Sequence, residues 1–266
     1  MSISSTVLEG AEIQFFPAAA VLRPHVGCFW VITASTDAVM RLVPDGTTSI
    51  AFERQSDGRC SGYLRGPLLQ SVERRFSAPT LLVGVRLRPG VAFNLMASAI
   101  DQIVDRRIPL QELEGLRALA AIEEVNQSPE QLISTLQDLL CQQLGTTSLH
   151  PIVERALTVI HAARGDISVS DVAVRCNTSE RHLGRLLREW IGFGPKRYAA
   201  IVRFQSSLAG MAQAPQLSVA SLATETGYFD QSHLNAEVAR FAGDTPGRLI
   251  EEHVSEFSKT QCDVPF

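Results

Sequence analysis

The chain has 266 residues, 45% of them apolar and 20% charged, enough to bury one large core or two ordinary ones. Its formal charge is −4, from 24 basic and 28 acidic side chains, which excludes a polycation of the histone or polybasic-tail kind and confines any phosphate-binding charge to a local patch. No apolar run reaches the roughly 18 to 20 residues of a membrane span and residues 1–10 lack a basic and apolar leader pattern, so a cytoplasmic protein with no membrane partner is expected.

The five cysteines (Cys28, Cys60, Cys141, Cys176 and Cys262) never form a C-x-x-C pair, so no disulfide framework, thiolate metal site or cofactor is expected. In the first hundred residues, prolines and glycines punctuate short apolar runs. Val26–Thr33, Thr48–Glu53 and Thr80–Leu87 read as strands, with turns at Pro44-Asp45-Gly46 and Pro89-Gly90. Residues 1–112 are therefore expected to form a mostly-β domain, a small sheet or barrel.

From Val91 the spacing turns helical, through about Ala92–Ile100, Leu116–Val125 and Pro129–Leu144. Residues 113–148 are expected as a helical connector. Leu132, Leu136, Leu139 and Leu140 recur at three- and four-residue steps, a stripe open to packing within the chain or to pairing as a homodimer. Gly145-Thr-Thr-Ser148 reads as a linker and Pro151 as the opening of the next helix.

The last hundred residues contain an internal repeat. Ile167-Ser168-Val169 and Ala173 recur fifty residues later as Leu217-Ser218-Val219 and Ala223. Beyond that the offset is fifty-one: His182-Leu183 matches His233-Leu234, Trp190 matches Phe241, and Gly192-x-x-Pro195 matches Gly243-x-x-Pro246. Each copy reads as a short helix, a turn, a longer helix and a glycine–proline turn, the helix-turn-helix pattern. In the first copy Thr178 or Ser179 caps the second helix, and Leu183, Leu186, Leu187 and Trp190 form its apolar stripe. Arg181, His182, Gly184, Arg185 and Arg188 fall on its other faces. From Arg175 to Arg203 seven basic residues oppose two acidic ones, a local surplus of +5 that suits a DNA major groove. The second copy, Leu217 to Phe241, has a balance of −2 and offers Gln231, Ser232, His233 and Asn235 instead. A helix from Pro195 to about Met211, with Tyr198, Ile201, Val202 and Leu208 on its inner face, is expected to space the two heads.

Ser179-Glu-Arg-His-Leu-Gly-Arg185, Gly192-Phe-Gly-Pro-Lys-Arg-Tyr198, Gly227-Tyr-Phe-Asp-Gln-Ser-His-Leu234 and Arg240-Phe-Ala-Gly-Asp-Thr-Pro246 resemble the paired DNA-binding domain of AraC/XylS-type transcriptional regulators. The resemblance implies a DNA-binding domain over residues 149–255, a tail over 256–266 and double-stranded DNA as partner. It implies base reading by Arg181, Gly184 and Arg185 in the first head and by Gln231, Ser232 and Ala236 in the second, supported by Ser179, His182, Arg188, Lys196, Arg197, His233 and Asn235. Gly184 in the first head and Ala236 in the second depart from the family's usual polar residue and arginine, and Val238 replaces its usual aromatic, so the second head is expected to read DNA weakly, or mainly by shape and phosphate contacts. Arg41-Leu-Val-Pro-Asp-Gly46, Gly66-Pro67, Gly84-Val-Arg-Leu-Arg-Pro-Gly90 and Ile108-Pro-Leu110 look like the sensor-type domain that often precedes such domains, and a cupin-like barrel is an analogy only. The implied whole is an α+β multidomain regulator, with a small-molecule effector or a protein partner at the N-terminal domain and an RNA polymerase contact.

The rival class is an enzyme fused to a DNA-binding domain. Among residues 1–149 only His25 supplies an imidazole, and no P-loop, dinucleotide-binding glycine pattern or nucleophile elbow appears, so no catalysis is expected. His182 and His233 suit packing or a phosphate contact better than a metal. Trp190 and Phe241 read as core anchors. Arg65, Arg86 and Arg88 are open to two readings, ordinary surface charge and contact with an anionic effector.

Overall fold

The structure, a computed structural model, describes residues 4–251 apart from residues 9, 97, 125–126, 146 and 215–217. The expected tail 256–266, the end of the DNA-binding domain beyond Glu251, and Val125, Thr146, Leu217 and Cys262 lie outside the described residues.

The strands are β1 (Ser4–Leu8), β2 (Ala11–Phe16), β3 (Val26–Ala34), β4 (Ala38–Leu42), β5 (Thr48–Arg54), β6 (Cys60–Arg65), β7 (Val72–Phe76), β8 (Thr80–Leu87) and β9 (Arg107–Pro109). Seven of them form an antiparallel sheet in the order β1-β2-β3-β8-β5-β6-β9, while β4 and β7 pair separately. The near-continuous apolar run of β8 follows from its central place between β3 and β5, with both faces covered. Side chains alternate across the sheet. Phe29, Val31, Ile50, Phe52, Leu64, Val83 and Val85 point to one face, and Trp30, Ile32, Ala51, Tyr63 and Leu82 point to the other, towards Met40 of β4 and Phe76 of β7.

The helices are α1 (Val91–Met96), α2 (Arg117–Ala120), α3 (Pro129–Leu144), α4 (Pro151–Ala162), α5 (Val169–Arg175), α6 (Glu180–Ile191), α7 (Pro195–Gln213), α8 (Val219–Glu225), α9 (Gln231–Ala242) and α10 (Pro246–Glu251). The helix expected over Ala92–Ile100 ends at Met96, because Ala99 is extended and the chain re-enters a single 3-10 turn at Ile100–Ile103. Leu116–Val125 likewise resolves into the one-turn α2 and a 3-10 turn at Ala121–Glu124. α3 matches its expected span. Its start is fixed by a capping box in which Ser128 Oγ accepts from Gln131 N and Gln131 Oε1 accepts from Ser128 N. Leu132, Ile133, Leu136, Leu140 and Leu144 of α3 enter the same core as Phe52 and Val83, so the leucine stripe is consumed inside the chain.

α4 to α10 share a second core, built around Leu157, Leu183, Leu187, Tyr198, Phe204, Leu234 and Phe241. Val43, from the loop after β4, also belongs to it. The α+β architecture expected from the sequence is therefore present, with a mostly-β N-terminal half, intervening helices and an all-α C-terminal half.

Candidate nucleic-acid interface

The two helix-turn-helix units are α5–α6 and α8–α9, and each feature of the first has its counterpart in the second. Ser168 caps α5 by accepting from Asp171 N at 3.1 Å, and Ser218 caps α8 by accepting from Ser221 N at 3.1 Å. The turns pass through a left-handed residue, Asn177 (φ 50°) or Gly227 (φ 76°), fifty positions apart. Ser179, not Thr178, caps α6 by accepting from His182 N at 3.2 Å, and Asp230 caps α9 by accepting from His233 N at 2.8 Å. These caps are fifty-one apart. The one-residue change of offset is thus located: Tyr228 and Phe229 stand where the first turn has only Thr178. Both long helices end on a left-handed glycine, Gly192 (φ 97°) and Gly243 (φ 72°).

Leu183, Leu186 and Leu187 bury the inner face of α6, leaving Ser179, Arg181, Arg185 and Arg188 exposed. Arg185 Nη1 donates to Glu189 Oε2 at 2.8 Å, and its other amine lies 3.5 Å from His182 Nδ1. Gly184 is buried, and a Cβ there would meet the Arg188 guanidinium at 3.6 Å. Lys196, at the start of α7, is exposed, and Arg197 lies partly over the Phe241 ring at 5.6 Å. In the second head Gln231, Ser232, His233 and Ala236 are exposed. Asn235 is half-buried, with Oδ1 buried and without a hydrogen-bond partner among the described residues. His233 Nδ1 accepts from Phe229 N at 3.4 Å while its ring stands edge-on to Tyr228.

The local charge balance differs from the sequence count in one respect. Glu237 is buried on α9 and accepts from Arg203 Nη2 of α7 at 3.2 Å and from Arg240 Nη2 at 2.9 Å. Arg203 therefore belongs to the second head. Six basic residues against two acidic ones remain in the first, a surplus of +4, and the second stands at −1 instead of −2. The sequence reading also missed Phe229, whose side chain is 91% exposed beside the start of α9. The inserted residue in the second turn was the signal for it.

The N-terminal half grips both long helices at their C-terminal ends. Trp190 of α6 stacks on Phe93 of α1 with ring centroids 4.2 Å apart. Gly192 sits so close to Val104 that a Cβ would lie 2.7 Å from Cγ2. At the end of α9, Phe241 O accepts from Ser71 N (2.7 Å), and Ala242 O accepts from Ser71 Oγ (2.8 Å) and Arg41 Nη1 (3.2 Å). Arg41 also pairs with Asp244 at 3.3 Å. Between these grips, Gln205 Nε2 of α7 donates to Pro44 O at 2.5 Å, and Gly46 lies against the Tyr198 ring. The N-terminal ends of α6 and α9, the ends that helix-turn-helix proteins present to base edges, stay outside these contacts.

Residues 172–252 match the family described as Helix-turn-helix domain, and residues 14–109 match the family described as Domain of unknown function (DUF6597). With the paired units and their motifs, these matches define the class: the C-terminal half is a DNA-binding domain of the AraC type. More particularly, the chain joins that domain to an N-terminal DUF6597 domain. No curated protein matches the chain. Among solved structures it is similar to the C-terminal domain of AraT, a response regulator from Geobacillus stearothermophilus, at 22% identity over 40% of this chain and 88% of that one, with a TM-score of 0.36. It is also similar to ToxT from Vibrio cholerae, at 12% identity over 82% and 98% of the two chains with a TM-score of 0.46. A third similar structure is ToxT bound to (E)-4-(8-methylnaphthalen-1-yl)but-3-enoic acid, at 11% identity over 84% and 98%, with a TM-score of 0.46. Among the described residues no helix is long and apolar enough to cross a membrane.

Proposed function

We propose that the protein is a sequence-specific transcriptional regulator that binds double-stranded DNA mainly through α6 and is controlled through its N-terminal domain. The observation that carries this reading is the division of each long helix: an exposed, capped N-terminal end, and a C-terminal end held by the β domain. In α6, Arg181 and Arg185 reach base edges, while Ser179, His182, Arg188, Lys196 and Arg197 supply phosphate contacts. Gly184 lies beneath the Arg188 guanidinium and offers the groove no side chain of its own. Gln231, Ser232, His233, Asn235 and Ala236 form the weaker second reader. α7, at 19 residues, is about 28 Å long, a spacer suited to heads entering major-groove segments about 34 Å apart.

Control follows from the grip on both helix ends, since an effector or partner that favours one arrangement of the domains biases the relative placement of the heads. The test is to measure affinity for a selected duplex in the full chain and in the double variant Arg41→Ala, Ser71→Ala, which removes the side-chain contacts to the end of α9 and leaves Ser71 N on Phe241 O. A changed affinity with an unchanged base preference supports control through this contact. Equal affinity in the two proteins contradicts it.

A further inference from the structure

The face of the large sheet that looks towards β4 and β7 lines an open pocket of ≈ 670 Å³ of empty space, the open solvent at its mouth included. Its floor is set by strand register, row by row. In one row, Arg65 of β6, Ser49 of β5 and Arg86 of β8 are direct neighbours across three adjacent strands. Two residues further along those strands, roughly 7 Å away, the row reads Tyr63, Ala51, Gly84 and Trp30. Its aromatic ends and small middle make a slot. Gly84 is required there, because a Cβ would lie 2.3 Å from the Trp30 indole. Met40, Leu42 and Phe76 roof the slot.

The charges in this apolar box do not balance. Arg74 and Arg107 share one carboxylate, Glu53, with Arg107 at 2.8 Å. Arg86 Nε is 3.7 Å from Asp45 Oδ2, and the other oxygen of Asp45 already accepts from Thr47 N and Oγ1. No carboxylate pairs with Arg65 among the described residues, and the buried Nε of Arg74 has no acceptor among them. Among the described residues, three guanidiniums, Arg65, Arg74 and Arg86, and one carboxylate, Asp45, thus line the cavity. The Arg74 and Arg86 side chains are only 14% and 9% exposed. Burial together with Arg74 and Arg107 disfavours the charge on Arg65, but a guanidinium stays protonated in a protein. An anion seated between these side chains would offset the cost of the surplus.

We propose that this cavity binds a ligand with an apolar, flat body and a carboxylate, the carboxylate seated between Arg65 and Arg86 over Ser49 and the body in the Tyr63–Trp30 slot. A carboxylate accepts forked bonds from two guanidiniums and one from a hydroxyl, and the rest of the slot is apolar. The assignment rests on the reading of the N-terminal domain as the control domain and names the ligand class and the route. Asp45 lies in the loop that carries Val43 into the C-terminal core, Pro44 O to Gln205 and Gly46 to Tyr198. A ligand carboxylate that takes Arg86 from Asp45 therefore acts on the loop that holds α7.

The test uses the full chain and four probes, 4-phenylbutyrate, 4-phenylbutan-1-ol, 4-phenylbutylamine and phenyl phosphate, read by tryptophan fluorescence and thermal shift. The expected result is that the carboxylate binds at least tenfold more tightly than the alcohol and the amine, and that Arg65→Met reduces this preference to less than threefold. Arg65→Met is also expected to raise the melting temperature of the ligand-free protein, because it removes surplus buried charge. A carboxylate no tighter than the alcohol, no binding by any probe up to 10-fold above millimolar (about 10 mM, where affinity falls below about 3 kcal/mol), or a less stable Arg65→Met protein would each overturn the assignment. Tighter binding of phenyl phosphate would replace the carboxylate by a phosphoryl group. Carboxylate binding that leaves DNA affinity unchanged would keep the ligand class and refute the control reading alone.

Discussion

Replacing Arg185 by alanine separates base reading from simple charge. The Arg185 side chain is 58% exposed and its pair with Glu189, at 2.8 Å, spans four residues of one helix. Such a surface pair contributes about 0.3–0.5 kcal/mol, so DNA meets little competition for the guanidinium. A bidentate arginine–guanine contact contributes about 1–3 kcal/mol of discrimination. The difference predicts that Arg185→Ala loses roughly twofold to a hundredfold in affinity for the selected duplex and relaxes preference at a single position. Glu189→Gln, which frees Arg185 and removes a carboxylate from the DNA-facing helix, is expected to gain about twofold. The assay is titration of the selected duplex, and of duplexes changed at each position in turn, at fixed salt. Equal loss on all sequences would refute base reading and reassign Arg185 to the phosphates.

Further predictions concern the supports of the interface. Lys196→Ala is expected to weaken binding to all sequences alike and to lower the slope of log affinity against log salt by about one, measured by titration at several salt concentrations. Glu237→Ala leaves Arg203 buried without its carboxylate and is expected to cost about 3 kcal/mol, whereas Arg240→Ala, at the exposed side of the same carboxylate, costs less than about 1 kcal/mol; urea unfolding of the full chain compares the two. His161, beside Tyr198 at 2.8 Å, is held neutral by burial and by Arg88, with its pKa lowered to about 4 from 6.5. The unfolded chain therefore binds the extra proton as pH falls through 6.5, so this contribution is whole above that pH and is lost towards pH 4. Its size is at most about 3 kcal/mol, and His161→Gln is expected to flatten the acid limb of a stability–pH curve.

The C-terminal half was legible because its signals are local. Caps, apolar stripes, left-handed turn residues and glycine ends lie within a few positions of the helices they define, and the repeat states them twice. Pro129–Leu144 was legible for the same reason. β7 was not: Val72–Phe76 alternates half-buried and exposed residues around Glu73, Arg74 and Arg75, which reads as a polar loop until β4 pairs with it. The charge of Arg203 was assigned to the wrong head because its partner, Glu237, lies 34 residues away. The surface-charge reading of Arg86 and Arg88 fails, since each is 8% exposed and Arg88 Nε donates to Arg23 O at 2.8 Å. The Arg65–Ser49–Arg86 row exists only through the register of three strands. No pattern within any one of them announces it.

In the proposed function, one chain reads DNA with two unequal heads that α7 holds a fixed distance apart. Selection of a random duplex pool by the full chain at fixed salt tests it most directly. Two heads on one spacer select a motif of two blocks about ten base pairs apart, the stronger block losing its definition in Arg185→Ala and the weaker in Gln231→Ala. A single block unaffected by Arg185→Ala, or no enrichment by the folded protein, would contradict it.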